Sequence, residues 1–291
     1  MKKRQYYVGG HTFSVEAEDD IFSDMYGYEP FRIDNENKDV VFTVTITHSA
    51  EKANIYFHKE NEWEMNDLSS ISGYTPNGEF VFKYFWHHEL IAVLISNKHF
   101  THGDIYLTGY QRFVAINTTM MILYSHSTAH LLTTIIHASA VCYNQQAYLF
   151  IGLSGTGKST HSKLWMKYFS GVEMINDDKP VIRVENDRLF LYGTPWSGKL
   201  NCFKNVCFPV GAIVKLKQAP YNKIRQLNKI ESYVTLLHCI YGKRWNKPIG
   251  DALHEIETKI ISLSNVWELE CLPDQEAANI CKETITKNII I

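Results

Sequence analysis

The stretch YLFIGLSGTGKSTHSKLW, Tyr148 to Trp165, constrains this chain more than any other. An apolar run ends in a glycine-rich turn, and Lys-Ser-Thr opens an amphipathic segment. Gly152 to Ser159 fits G-x-x-x-x-G-K-[ST] at every position, a pattern that needs a strand before it and a helix after it. A chance match in a chain this long is on the order of one per cent. The flanking strand and helix patterns make the turn a nucleotide phosphate site.

The residue types follow from that task. Gly152, Gly155 and Gly157 let the backbone turn where a Cβ would clash. The amides of Ser154, Thr156 and their neighbours can then face one concavity that holds an anion. The helix opening at Lys158, Ser159 and Thr160 adds unpaired N–H groups and a positive dipole end. Lys158 would neutralise the β and γ phosphates of ATP or GTP, and the Ser159 hydroxyl would ligate Mg²⁺.

The rest of the chain changes character near residue 125. Before it lie short alternating segments, HTFSVEA, VVFTVTITH, NIYFHKE, FVFKYFW, IAVLIS and DIYLTGY. They predict an antiparallel, β-rich N-terminal domain over 1–125. FVAINTTMMILYSHSTAHLLTTI has the length of a bridging helix. From Thr133 onward strands and helices mix, predicting an α/β nucleotide-binding domain over 126–291. TIIHASAVCY and AYLFIG read as two strands about NQQ, VEMIN as a strand ending at Asp177-Asp178, and PVIRV with RLFLYGTPW as a hairpin. GAIVKLK and VWELECL read as later strands. IRQLNKIESYVTLLHCIY, DALHEIETKIISLS and DQEAANICKETITK read as helices, the last from an Asp cap.

Bulk properties narrow the function. The net charge of −2 gives no basic field for nucleic acid. No apolar run is long enough to span a membrane, and MKKRQYYVGGHTFSV lacks the apolar core of a secretory signal. The six cysteines form no CxxC pair and read as free thiols of a cytoplasmic protein. The thirteen histidines show no zinc-ligand spacing.

Nineteen residues beyond Lys158, INDDKPVIRV places two carboxylates at a strand end. One could hold Mg²⁺ and the other accept a hydroxyl proton, since neighbours on extended chain point to opposite sides. By itself the pair would be an ordinary polar turn before Pro180. His137, the hairpin, GLSGTGKS and NDD in this order resemble the HPr kinase/phosphorylase family and its relatives related in fold to phosphoenolpyruvate carboxykinases. These relatives include small serine kinases and kinases of lasso-peptide gene clusters. YGTPWSGK, Tyr192 to Lys199, looks like the corresponding segment of the small kinase-like members. The resemblance covers roughly residues 133 to 220.

The resemblance implies a carboxykinase-type phosphate-loop domain with a mixed sheet. It makes Asp177 the base for a substrate serine hydroxyl and Asp178 its metal-side partner. Lys158 and Ser159 become the phosphate-loop lysine and the metal-binding serine, and His137 a group near the transferred phosphoryl. From the residues alone, His137 in TIIHASAV is a packed strand residue. Arg183 could support phosphates or a carboxylate. Thr194 and Trp196 could line a substrate pocket or belong to the core. Lys199 and Lys204 could meet an anionic acceptor or solvent. YGKRWNKP reads as a mobile basic loop over the nucleotide or a solvated connection between helices. EAEDD reads as a charged loop.

The function expected is Mg²⁺-assisted phosphoryl transfer from ATP or GTP to a serine hydroxyl of a peptide, protein or free amino acid. Two alternatives are a carboxykinase acting on a small carboxylic acid and a nonenzymatic, nucleotide-regulated binding module. The N-terminal sheet could join copies of the chain into a homo-oligomer.

Overall fold

The computed structural model describes residues 1–35, 37–65 and 67–287. The chain forms two compact units. Unit 1 holds Met1–His130 and Gly242–Gly250; unit 2 holds Leu131–Tyr241 and the chain from Asp251.

In unit 1, β1 (Lys2–Val8) and β2 (His11–Ala17) form a hairpin about Gly9-Gly10. Both glycines lie at positive φ, 59° and 84°, as a two-residue turn that follows strand twist requires. Helix α1 (Asp19–Asp24) and a 3-10 turn lead to β3 (Arg32–Ile33), which pairs with β1. β4 (Val40–His48) runs parallel to β2. β5 (His58–Met65), β6 (Leu68–Tyr74), β7 (Phe80–Trp86), β8 (Glu89–Ser96) and β9 (His102–Leu107) form an antiparallel meander. The sheet order is β3-β1-β2-β4-β9-β8-β7-β6-β5.

The expected antiparallel region is therefore a mixed sheet. β4 is parallel to both its neighbours: a crossover containing α1 joins it to β2, and the strands β5–β8 lie between it and β9 in the chain. NIYFHKE becomes a strand only from His58, after a 3-10 turn at Glu51–Asn54. Helix α2 (Arg112–Thr128) lies against the sheet, most of its surface buried. Its buried Thr119, Ser127 and Thr128 hydroxyls donate to carbonyls one turn back, so they enter the core with partners. Gly103 on β9 permits the close approach: a Cβ there would lie 3.0 Å from Leu123 of α2.

In unit 2, TIIHASAVCY does not form one strand. It splits into β10 (Thr133–Ile135) and β11 (Ala138–Tyr143). β12 (Gln146–Ile151) precedes the phosphate loop and α3 (Lys158–Tyr168) follows it. Next come β13 (Glu173–Asn176), β14 (Val181–Glu185), β15 (Arg188–Tyr192) and β16 (Cys207–Gln218). β17 (Lys223–Gln226), α4 (Lys229–Leu237), α5 (Lys247–Leu263, its first four residues in unit 1), β18 (Val266–Cys271) and α6 (Gln275–Thr286) follow. The sheet order is β10-β14-β15-β16-β12-β11-β13, with β18 joining β16 and β17 joining β18. β12 is parallel to β16 and antiparallel to β11.

IRQLNKIESYVTLLHCIY is corrected in the same way. Its first residues pair with β18 as β17, and the helix starts only after Asn228. Asn228 and Glu231 form a capping box, which fixes that start. Asp274 caps α6 as expected, accepting from the Ala277 amide at 2.9 Å. The core centres on Trp165 of α3, fully buried among Tyr148, Phe150, Val214 and Leu269. That packing anchors the helix behind the phosphate loop.

Candidate functional site

The phosphate loop leaves β12 at Ile151 and enters α3 at Lys158. Gly152 and Gly157 lie at φ 147° and 100°, in the region that side chains rarely adopt. At Gly152 space also forbids a side chain, since a Cβ would sit 2.8 Å from Thr156 Oγ1. Thr156 Oγ1 donates to the Leu153 carbonyl at 2.8 Å, and Gln218 Nε2, from the end of β16, donates to the Gly155 carbonyl at 3.1 Å. Leu153, Ser154, Gly155 and Thr160 are exposed, and Ser159 is half-buried. Lys158 is buried, and its ammonium donates to the Gly152 and Leu153 carbonyls at 3.0 and 3.1 Å. The lysine thus closes the loop on itself.

The carboxylate pair follows β13 in a turn organised by Asn176. Its Oδ1 accepts from the amides of Asp178 and Lys179 at 2.9 and 2.8 Å. Its Nδ2 donates to Thr194 Oγ1 at 3.1 Å and the Trp196 carbonyl at 3.3 Å. Thr194 Oγ1 in turn donates to the Lys179 carbonyl at 2.7 Å. Thr194 and Trp196 are buried, and these polar atoms brace the turn.

The two aspartates face different surroundings. Asp177 is buried. Its Oδ1 accepts from the Ser197 hydroxyl and from the Gly198 amide at 2.7 Å, and its Oδ2 accepts from the Leu200 amide at 2.9 Å. Gly198 permits this approach, since a Cβ there would lie 2.9 Å from Asp177 Oδ2. Asp178 is half-exposed and joins a cluster of charged and polar groups. Its Oδ1 lies 2.9 Å from Lys179 Nζ and 3.5 Å from His137 Nδ1. Lys179 Nζ lies 2.6 Å from His137 Nδ1.

His137 reaches this cluster because the chain changes partners there. β10 pairs with β14, whereas β11 pairs with β12 and β13. Between them, the His137 amide donates to the Cys239 carbonyl at 2.8 Å, and that of Ala138 to the Asp178 carbonyl at 3.0 Å. His137 is therefore at a break between strands, where the expected continuous strand would have packed it.

Electrostatics tie these groups to the loop lysine. Burial first, then Lys179 and Lys158, push His137 down to about 4 against the opposing pull of Asp178. Burial lowers Lys158, Asp178 raises it and Lys179 lowers it again. Lysine can only donate, so His137 Nδ1 is the acceptor and the neutral ring carries its proton on Nε2. His137 then presents an N–H donor on its far side.

Of the residues singled out from the sequence, His137 and Asp178 share this cluster, and the charge of Lys158 acts on both. Asp177, Thr194 and Trp196 form the scaffold beside it. Arg183 on β14 pairs with Glu185 at 3.3 Å, Lys204 with Glu173 at 3.4 Å, and Lys199 is exposed. The sequence reading missed Asn176 and Lys179. Both flank the Asp pair in NDDK, and an Asn before a polar turn is itself a signal of side-chain-to-backbone bonding.

Among the described residues, no group of three or more His, Cys, Asp or Glu side chains could hold a metal by itself. A magnesium–nucleotide pair needs less, because phosphates and water supply most of its shell. The Ser159 hydroxyl and the Asp178 carboxylate are hard oxygen donors of the kind that fit.

No protein-family model matches the chain, and no curated protein matches it. Among solved structures, the HPr(Ser) kinase/phosphatase from Coxiella burnetii aligns with a TM-score of 0.30 and 15% identity, over 53% of this chain and 94% of that chain.

Proposed function

We propose that unit 2 is a phosphotransferase that moves the terminal phosphoryl of ATP or GTP to a hydroxyl group, with serine of a peptide, protein or free amino acid as the acceptor. One observation carries the reading. The lysine of a phosphate loop shares its electrostatic environment with a carboxylate, a second lysine and a neutral histidine.

The loop amides and the N-terminus of α3 hold the phosphates. Lys158 exchanges the Gly152 and Leu153 carbonyls for phosphate oxygens when the nucleotide enters. Ser159 and Asp178 would hold Mg²⁺, which would supply charge neutralisation on the phosphates. Asp178, whose Oδ1 is fixed by Lys179, orients the acceptor hydroxyl with its other oxygen and takes its proton. His137 Nε2–H donates to the phosphoryl in transit. Asp177, the base implied by the family resemblance, instead holds the 197–200 segment through three hydrogen bonds. Thr194 and Trp196 position the Asp turn, while Arg183 and Lys199 remain candidates for the acceptor side. Catalysis here is positioning and electrostatics, as phosphoryl transfer generally is.

Incubation with γ-labelled ATP and Mg²⁺ tests the reading, with free serine and serine-containing peptides as acceptors. Labelled phosphoserine is expected, and Asp178→Asn should keep nucleotide binding while losing transfer. If Asp178→Asn instead loses Mg²⁺-dependent nucleotide binding, Asp178 is a direct metal ligand and the base lies elsewhere. Oxaloacetate-dependent release of carbon dioxide would replace the reading with a carboxykinase. Tight binding without turnover on any hydroxyl would replace it with a nucleotide-regulated module.

A further inference from the structure

The nucleotide side and the acceptor side of the candidate site are carried by different elements of unit 2. Lys158 and Ser159 open α3. The Asp turn hangs on β11: the Ala138 amide donates to the Asp178 carbonyl at 3.0 Å, and Ala140 pairs with Asn176 of β13. His137 directly precedes the same strand. A slide of α3 along the sheet would change the distance between the two sides.

Burial of Trp165 and its neighbours holds the helix down, but burial has no preferred direction. One contact between helix and strand has one. Ser162 Oγ of α3 lies 2.7 Å from Ser139 Oγ of β11. Among the described residues, this is the one hydrogen bond from an α3 side chain to the sheet. Ser139 Oγ also lies 4.0 Å from Met174 Sδ, a weak acceptor for its proton, which leaves Ser162 the donor between the two serines.

Both serines are fully buried. Hydroxyl groups in an apolar layer cost free energy that alanine would avoid, and the best-attested use of buried polar partners is to fix register. The pair stands where register matters. Ser139 lies between Ala138 and Ala140, the two residues through which β11 holds the Asp turn. Ser162 lies one helical turn beyond Lys158 and Ser159, on their side of α3.

We propose that Ser139 and Ser162 are positioning residues: their hydrogen bond sets the register of α3 on β11, and with it the distance from a phosphoryl group held at Lys158 to the acceptor hydroxyl at Asp178. The inference rests on the phosphotransferase reading. Alanine variants of the full chain test it through the urea midpoint, the affinity for mant-ATP and steady-state transfer from γ-labelled ATP to the acceptor that the wild type labels fastest. Ser162→Ala strands the Ser139 hydroxyl in the core and should lower the midpoint. In Ser139→Ala the Ser162 hydroxyl can turn to its own helix carbonyl one turn back, so the midpoint should fall less. The double variant removes both polar groups and should regain the wild-type midpoint. Its ATP affinity should also be that of the wild type, because the loop and α3 move together. Its kcat should nonetheless fall by about tenfold to a hundredfold, the scale of a misplacement of about 1 Å. In an ordinary packing pair, transfer would follow stability, reduced in the single variants and restored in the double one. Wild-type kcat in the double variant therefore overturns the proposal, and so does a loss of ATP affinity as large as the loss of kcat. Should the double variant fail to fold, Ser139→Ala alone reads the same split between kcat and affinity. A wild-type chain that binds ATP and transfers to no hydroxyl overturns the phosphotransferase reading, and the inference falls with it. Transfer by the wild type that the variants leave intact overturns the inference alone.

Discussion

Lys158 of unit 2 and Lys243 of unit 1 are both desolvated, yet their surroundings have opposite character. Lys158 is enclosed by acceptors, two loop carbonyls at 3.0 and 3.1 Å, with the Asp178 carboxylate raising its pKa. Lys243 has one amide oxygen at 3.4 Å and lies on a face whose other orphaned polar atoms include hydroxyl, indole and imidazole donors. A lysine that already has acceptors must give them up to take a phosphate. The first is held by backbone carbonyls within its own loop, and the second by a side-chain amide and an indole face.

The largest effect expected from that contrast is in nucleotide-dependent activity. Lys158→Ala should lower phosphoryl transfer by about 10²–10³-fold, the scale of losing one preorganised charge donor. Lys243→Met should leave it unchanged. Parallel steady-state assays check both, and equal losses in the two variants would erase the distinction between the lysines.

A second comparison lies within the Asp pair. Asp177→Asn keeps an oxygen for Ser197 and Gly198 but turns an amide nitrogen toward the Leu200 N–H, a donor facing a donor. Its cost is about 2 kcal/mol of stability, the scale of an unsatisfied buried group. Asp178→Asn, on a half-exposed side chain, should keep the wild-type stability and lose about 10²-fold or more in transfer. Urea denaturation and the labelled-ATP assay together read the two residues apart.

This division was only partly legible in the sequence. The glycine-rich turn between β12 and α3 was, because Gly152, Gly155 and Gly157 all lie at positive φ, which favours glycine. The capped start of α6 was legible for the same reason, a local bond between Asp274 and the Ala277 amide. The break at His137 was not: TIIHASAVCY contains no Gly, Pro or Asn to mark it, and the split arises from pairing with distant β14 on one side and β13 on the other. The parallel setting of β4 was hidden likewise, since side-chain alternation is the same in parallel and antiparallel strands. YGKRWNKP stood out in the sequence as a basic segment, but the half-buried setting of Lys243 did not, because its partner Asn61 on β5 is 182 residues away. β6 itself, LSSISGY, was missed because small polar residues replace the usual β-branched alternation.

Acidification should weaken both units. The buried His126 of unit 1 is pushed down to about 3, and His161 of unit 2 to about 4, by desolvation. Each stays neutral when folded but takes a proton near pH 6.5 when unfolded. Stability is therefore unaffected above that pH and falls as the pH drops from 6.5 toward the folded values. The loss approaches about 3 kcal/mol for His161 by pH 4. Urea midpoints at pH 7 and pH 4.5 check the direction. A midpoint independent of pH would mean that these rings are not buried as neutral groups.

The smallest expected effect concerns Lys179, which touches His137 and Asp178 together. After burial, its charge is the largest influence holding His137 near 4. Lys179→Met removes that charge and the donor that fixes the ring's proton on Nε2. The His137 pKa should then rise by about one unit, a charge neighbour's usual effect. Its two neutral tautomers should mix. At pH 5–5.5 a larger share of His137 becomes imidazolium, so the acid limb of the transfer profile should move to higher pH. The loss near pH 7.5 should be smaller, because the ring is neutral in either protein. NMR titration of the His137 ring reads the pKa directly, and the rate profile reads its consequence. A lysine that only braced the turn would lower activity equally at every pH. A positioning residue for His137 moves the limb, because it acts through the protonation of another side chain.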